Sequence, residues 1–257
     1  MSWNEFIYFA IASLIFWFSG VAALYLSKKR IISDLLVITG LIIFASFIMA
    51  LWIGSGHPPL RTMGETRLWY SFFLITVGYL TYLRWGYKWL VAYSTLVSAV
   101  FIFINLLKPE IHTTNLMPAL QSPWFVPHVT VYILAYAIMG AATIAALIAL
   151  FKGSPEDRDL MKMIDNLVYI GLAFLIAGIL MGALWAKEAW GDYWSWDIKE
   201  TWALITVSTY LLYIHSRKGG YSQKIILWII PGGFILLMVT WLGVNYLSAA
   251  QGSIHIY

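Results

Sequence analysis

The feature that most constrains this chain is a succession of eight apolar runs, each long enough to cross a lipid bilayer. They lie near residues 6–27, 33–53, 68–84, 89–107, 127–151, 166–186, 200–216 and 224–246, bounded by charged residues or by Pro and Gly. A hydrocarbon core about 30 Å thick needs roughly 17–25 predominantly apolar residues of helix. Backbone polar groups inside that core must find their partners within the segment itself. The pattern therefore predicts an all-α fold, a polytopic membrane helical bundle of about eight transmembrane helices. Composition agrees, because 11% of the 257 residues are charged where an ordinary soluble domain has about 25%. That excludes a soluble globular enzyme, a disordered chain and a coiled coil. The absence of cysteine excludes disulfides, thiolate metal sites and a cysteine nucleophile from this chain.

Orientation follows from the basic residues. With the N-terminus outside, Lys28, Lys29, Arg30, Arg84, Lys88, Lys152, Arg158, Lys162, Arg217, Lys218 and Lys224 fall on the inner side, 11 of the 16 Lys and Arg. The positive-inside rule then puts both termini outside. This distribution accounts for the net charge of +4 better than nucleic-acid binding does, so no nucleic-acid partner is expected. The first run lacks a preceding Lys or Arg and is too long for a signal-peptide core, so it is expected to remain in the protein. No Pro, Gly or Ser-rich linker interrupts the chain, and residues 1–257 read as a single integral membrane domain. The inner connection from Lys152 to about Asp165 reads as a solvated turn, with a helix N-cap at Ser154 or nearby. The outer segments 54–67, 108–126, 187–199 and 247–257 hold most of the unusual residues.

The densest of these is the stretch from Trp185 to Trp202, with five Trp and one Tyr. One or two such rings at a span end would be an interfacial belt. Trp190, Gly191, Tyr193, Trp194, Trp196 and Asp197 instead crowd one short polar loop, where Gly191 permits a bend that gathers the rings. Grouped flat rings suit a large planar apolar ligand whose polar edge meets Asp192, Lys199 or an indole N–H. Histidines stand at 57, 112, 128, 215 and 255. His128 follows Pro127 where the chain re-enters the membrane, and His255 lies about nine residues beyond the last run, so both reach the level of the aromatic loop. Either alone reads as a hydrogen-bonded loop residue. Together, beside a platform of rings, two imidazoles make a haem site, imidazole being the ordinary axial ligand of haem iron.

His215 ends the seventh run on the other side of a membrane about 30 Å thick, too far to share that iron. It reads either as an interfacial histidine beside Arg217 and Lys218 or as a second metal site completed by another polypeptide. His57, in Ser55-Gly56-His57-Pro58-Pro59-Leu60, reads as a turn histidine and a weaker candidate ligand. His112 reads as solvated loop. Met63 and Met117 are conceivable soft ligands, though methionines in apolar chains are usually packing residues.

The run Trp190-Gly191-Asp192-Tyr193-Trp194-Ser195-Trp196-Asp197-Ile198-Lys199-Glu200-Thr201-Trp202-Ala203-Leu204-Ile205 resembles the WWD signature of haem-handling proteins in cytochrome c biogenesis, most closely the CcsA or ResC type of the System II pathway. Ser55 to Leu60, Leu120 to Trp124 leading to His128, Tyr213 to Arg217, and Gly243 to Tyr246 leading to His255 fall in the same order, so the resemblance covers roughly residues 50–257. It implies a haem exporter and cytochrome c haem lyase or synthase subunit, which presents haem b for thioether attachment to the CxxCH cysteines of apocytochrome c. On that resemblance His128 and His255 hold the outer iron and Trp190, Trp194, Trp196 and Asp197 cradle the porphyrin. His215 takes haem within the membrane, opposite a ligand from a CcsB or ResB-type partner. A thioredoxin-like protein that keeps the apocytochrome thiols reduced is a further expected partner. The expected location is a bacterial inner or plasma membrane, or a thylakoid membrane in a plastid, with the active site on the extracytoplasmic side. The family often has Pro where Ile198 stands, and Ile198 should relax the start of the following helix.

Three other readings compete. A CcmC-like module would deliver haem to a periplasmic chaperone without forming thioethers, but such chains have about six spans. A passive scaffold using the Trp loop as an anchor would carry no Soret absorbance. A bis-haem quinol oxidoreductase subunit would need paired histidines on facing spans.

Overall fold

The computed structural model describes residues 2–109, 122–152 and 157–243, and its regular segments are all helical. Among the described residues eight long helices are present, as the apolar runs require. Six of these segments are long and apolar enough to cross a membrane. The other two, third and seventh in the chain, have a similar length but carry Glu65, Arg67 and Arg84, or Lys199, Glu200, Arg217 and Lys218, near their ends. The chain divides into two compact units, residues 1–116 and 117–257.

The first unit contains α1 (Phe6–Leu26), α2 (Arg30–Ser55), α3 (Met63–Trp85) and α4 (Trp89–Leu107). Helix α1 packs against α2 and α4, and α3 packs against α4. In lipid the association of helices rests on close packing and interhelical hydrogen bonds rather than on the hydrophobic effect, and both occur here. A Cβ at Gly40 would lie 2.5 Å from Cδ1 of the buried Trp17, so only glycine lets α2 approach α1 this closely. Ser98 Oγ donates to Ser71 O at 2.8 Å, and Asn105 Nδ2 donates to Gly64 O at 2.9 Å, joining α4 to α3. Thr62 and Glu65 form a capping box that starts α3, satisfying two of the amide donors every helix N-terminus leaves open.

The second unit contains α5 (Phe125–Phe151), α6 (Arg158–Trp190), α7 (Ile198–Lys218) and α8 (Gln223–Met238), which continues as a π-helical turn, Val239–Gly243. Helix α5 packs on α6 and α8, and α7 packs on α8 and α6. The small side chains of Ala135, Ala137, Ala141, Ala142, Ala145 and Ala149 are buried along α5, letting neighbouring backbones come near. At the far end of α7 the Asp165 carboxylate accepts from Tyr213 OH at 2.7 Å and from Arg217 Nε at 3.2 Å, fastening α7 to α6.

Helix α6 departs most from the expected spans. It was expected near 166–186 and runs over 158–190, so Lys187 to Trp190 are helical rather than loop. The helix starts on Asp157, whose carboxylate accepts from the N–H groups of Asp159 and Leu160. Ser154 lies outside the described residues. Hydropathy marks where a helix meets lipid, whereas the helix itself continues into polar surroundings wherever caps satisfy its ends.

Candidate functional site

Helix α5 begins at Phe125, one turn ahead of His128, and carries that histidine onto α6. His128 Nδ1 lies 2.8 Å from Gly178 O. A carbonyl oxygen only accepts, so Nδ1 bears the proton, and in the neutral ring Nε2 carries the lone pair. This is the arrangement that sets tautomer and ring orientation in histidines that ligate metal. The ring is packed as well as bonded. Tyr132, one turn along α5, meets it edge-on at 4.8 Å, and Trp185 lies 5.5 Å away at a tilt of 32°. A Cβ at Gly182 would stand 2.7 Å from His128 Cε1 and 2.8 Å from Nδ1, so residue 182 must be glycine for the ring to sit where it does.

Trp185 is buried and connects the histidine to the aromatic loop, its ring 5.3 Å from Phe125 and 4.9 Å from Trp190, the last residue of α6. Gly191 ends the helix with φ of +95°, a left-handed conformation that is costly with a Cβ. Lys187 Nζ donates to Gly191 O at 2.6 Å and lies 5.4 Å from the centre of the Tyr193 ring, bracing the turn. Trp194 and Trp196 meet almost perpendicularly, ring centres 5.8 Å apart. The indoles thus form two edge-on pairs, Trp185 with Trp190 and Trp194 with Trp196, rather than the single flat platform their density suggests. Trp196, itself at φ +59°, and Tyr193 are exposed.

Asp197 closes the loop as the N-cap of α7. Its carboxylate accepts from Lys199 N at 2.8 Å, and Glu200 completes a capping box by accepting from Asp197 N at 3.1 Å. The same Glu200 oxygen accepts from Ser195 N at 2.9 Å. Both carboxylates are therefore engaged with loop backbone, and the start of α7 is well capped with Ile198 at its first position. Half-buried Lys199 has its ammonium pushed down to about 8, chiefly by burial and against the attraction of Asp197. Below the histidine, Tyr132 and Tyr136 line a small cavity with Leu175, Ala203, Thr206 and Thr240.

The structure thus brings His128 together with Trp190 through Trp185. His215 lies on the same unit near the other end of α7, about 26 Å along the axis from Ile198 at 1.5 Å per residue. It is exposed, and its Nδ1 lies 2.8 Å from Leu211 O, again leaving Nε2 as the lone-pair nitrogen. His57 belongs to the first unit, where its Nδ1 lies 3.1 Å from Pro58 O in the turn between α2 and α3. Met63 opens α3. His112, Met117 and His255 lie outside the described residues. Among the described residues no three His, Asp or Glu side chains converge as a metal cluster.

Gly178 and Gly182 are the residues that sequence reasoning missed. The signal present was the spacing of Gly171, Gly178 and Gly182, which places small residues along one face of α6, but nothing in it tells which partner side chain each one faces.

A sequence model of the Cytochrome C assembly protein family matches residues 7–250. The chain belongs to the cytochrome c assembly family, in its CcsA-type branch. It is 35% identical over 248 residues to the cytochrome c biogenesis protein CcsA of Chlamydomonas reinhardtii, covering 89% of this chain and 70% of that one. It is 34% identical over 254 residues to that of Mesostigma viride, covering 80% and 82%. With that of Chlorella vulgaris the figures are 33% over 245 residues, 77% of each chain. The CcsA-type relatives do not favour the CcmC-like alternative. Membership fits the helices described, and the protein is a multi-pass membrane protein of the family's cytochrome c assembly machinery.

Proposed function

We propose that this family member acts in cytochrome c biogenesis as the haem-presenting subunit of a cytochrome c haem lyase. Haem b is held on the extracytoplasmic side by His128 and His255, against Trp190, Trp194, Trp196, Gly191, Tyr193 and Asp197, with both termini on that side. The observation that carries the reading is the His128 to Gly178 hydrogen bond beside the Trp185 and Trp190 rings. A donor set of one tautomer-fixed imidazole among indoles fits an iron porphyrin, whose metal takes imidazole and whose plane is apolar.

When bound, haem supplies two vinyl groups, to which the two cysteine thiols of a CxxCH segment add. Each addition places sulfur on one vinyl carbon and the thiol proton on the other, so no net oxidant is needed. The residues of this chain do the positioning. His128 would supply an imidazole to the iron, and the Trp pairs would pack against the porphyrin and orient it. Lys187 and the cap built by Asp197 and Glu200 hold the loop in shape. The thiols come from apocytochrome c, kept reduced by a thioredoxin-like protein. His215 would supply an imidazole to haem earlier, within the membrane, together with a residue of a CcsB or ResB-type partner, in a bacterial inner or plasma membrane or in a thylakoid. The two units work as one integral membrane domain in this reading.

The test is haem retention by the purified chain. His128→Ala lowers Soret absorbance per protein, and free imidazole restores part of it. Wild-type haem content in His128→Ala would refute the ligand assignment.

A further inference from the structure

We propose that one end of the first unit, formed by the α1–α2 and α3–α4 connections, binds the phosphodiester of an anionic phospholipid. Five cations gather there, Lys28, Lys29 and Arg30 from the first connection and Arg84 and Lys88 from the second. They belong to one surface because contacts cross between the connections. Lys88 Nζ donates to Leu24 O at 2.9 Å, closing the last turn of α1, and lies 5.8 Å from the centre of the Tyr25 ring. The Arg30 guanidinium sits 5.1 Å over the Tyr82 ring of α3.

Charge at this end is left uncompensated. Asp34 pairs with Arg30 at 3.3 Å, and among the described residues no carboxylate pairs with Lys28, Lys29 or Arg84. The helices that start here are headed by cations as well. Lys29 and Lys88 are the N-cap residues of α2 and α4, neither makes a side-chain cap, and neither helix has an acidic residue in its first turn. By contrast, α3 and the turn before α1 start on capping boxes closed by Glu65 and Glu5. A cationic surface interleaved with Tyr25, Tyr82 and Trp85 matches a ligand with an anionic head, a polar linker at ring depth and apolar chains below, which is an anionic phospholipid. The exposed apolar side chains of Leu26 and Leu83 flank it.

The experiment is native mass spectrometry of the full chain released from detergent containing equal phosphatidylglycerol and phosphatidylcholine. Wild type retains phosphatidylglycerol preferentially. Lys28→Gln with Lys29→Gln lowers that retention roughly thirtyfold, at about fivefold for each basic residue near an anionic headgroup, while Lys28→Arg with Lys29→Arg preserves it. The pair Lys218→Gln and Lys224→Gln, from the second unit, leaves it unchanged. Equal retention of the two lipids, or an equal loss in the second-unit pair, would overturn the proposal. Displacement of the lipid by inorganic phosphate would also overturn it, by showing a phosphate site rather than a lipid one.

Discussion

Gly182→Ala probes the site without replacing a proposed ligand. The added methyl would lie 2.7 Å from His128 Cε1 and 2.8 Å from Nδ1, whereas ordinary contact begins near 3.4 Å. The ring must retreat by roughly 0.7 Å, and because Nδ1 already sits 2.8 Å from Gly178 O, the retreat carries that bond toward the limit of useful hydrogen-bond geometry. Lost outer-shell support for a metal-ligating histidine typically costs about 10–100-fold in metal affinity. The predicted outcome is a haem affinity lowered by that factor, read by Soret titration of the purified protein. Gly171→Ala is the control on the same helix pair, because its methyl would meet the flexible end of Met139 at 2.9 Å and Ile138 Cγ2 at 3.2 Å, with no contact to the His128 ring. Imidazole should restore haem to His128→Ala, where space has been opened, and not to Gly182→Ala, where the displaced ring remains. Equal affinity in Gly182→Ala, Gly171→Ala and wild type would refute the reasoning.

Three further outcomes follow from the loop and from α7. Asp197→Asn should retain haem close to wild type because asparagine caps as well as aspartate, while Asp197→Ala should destabilise the start of α7 by about 0.5–2 kcal/mol, read as lower thermal stability and haem content; equal losses in both would show that the charge acts on the ligand. Lys199 should react with amine-acylating reagents with a midpoint near pH 8, against about 10.4 for ordinary lysine, measured by peptide mass spectrometry. Since its folded value lies below the unfolded one, stability should rise as pH climbs from about 8 toward 10.4, and a midpoint near 10.4 would contradict the burial assigned to it. His215→Ala should lower haem occupancy at His128 in cells while leaving the affinity of the purified protein for added haem unchanged; unchanged occupancy in cells would mean that haem arrives by another route.

Helix number and approximate spans were legible because lipid solvation demands long uncharged runs, and the eight runs became eight helices. The limits of α6 were not, because Arg158, Asp159, Lys162 and Lys187 look like loop to a hydropathy reading yet belong to a helix whose ends are capped by Asp157 and Gly191. The aromatic loop was conspicuous from its Trp density. The edge-on pairing of its rings was not, since that depends on the left-handed turns at Gly191 and Trp196. Asp197 read as part of a ligand cradle, and its further part as the cap of α7 went unread, although the Asp-x-x-Glu spacing with Glu200 is the sequence mark of a capping box. Gly178 and Gly182 stayed hidden because what they do depends on where α5 crosses α6.

The most direct test of the central claim is near-infrared magnetic circular dichroism of the ferric, haem-loaded chain with its partner absent and His215 replaced by Ala. The account predicts a bis-imidazole signature in that protein, changing to a histidine–methionine signature in both His128→Met and His255→Met. An unaltered bis-imidazole signature in either variant would contradict it.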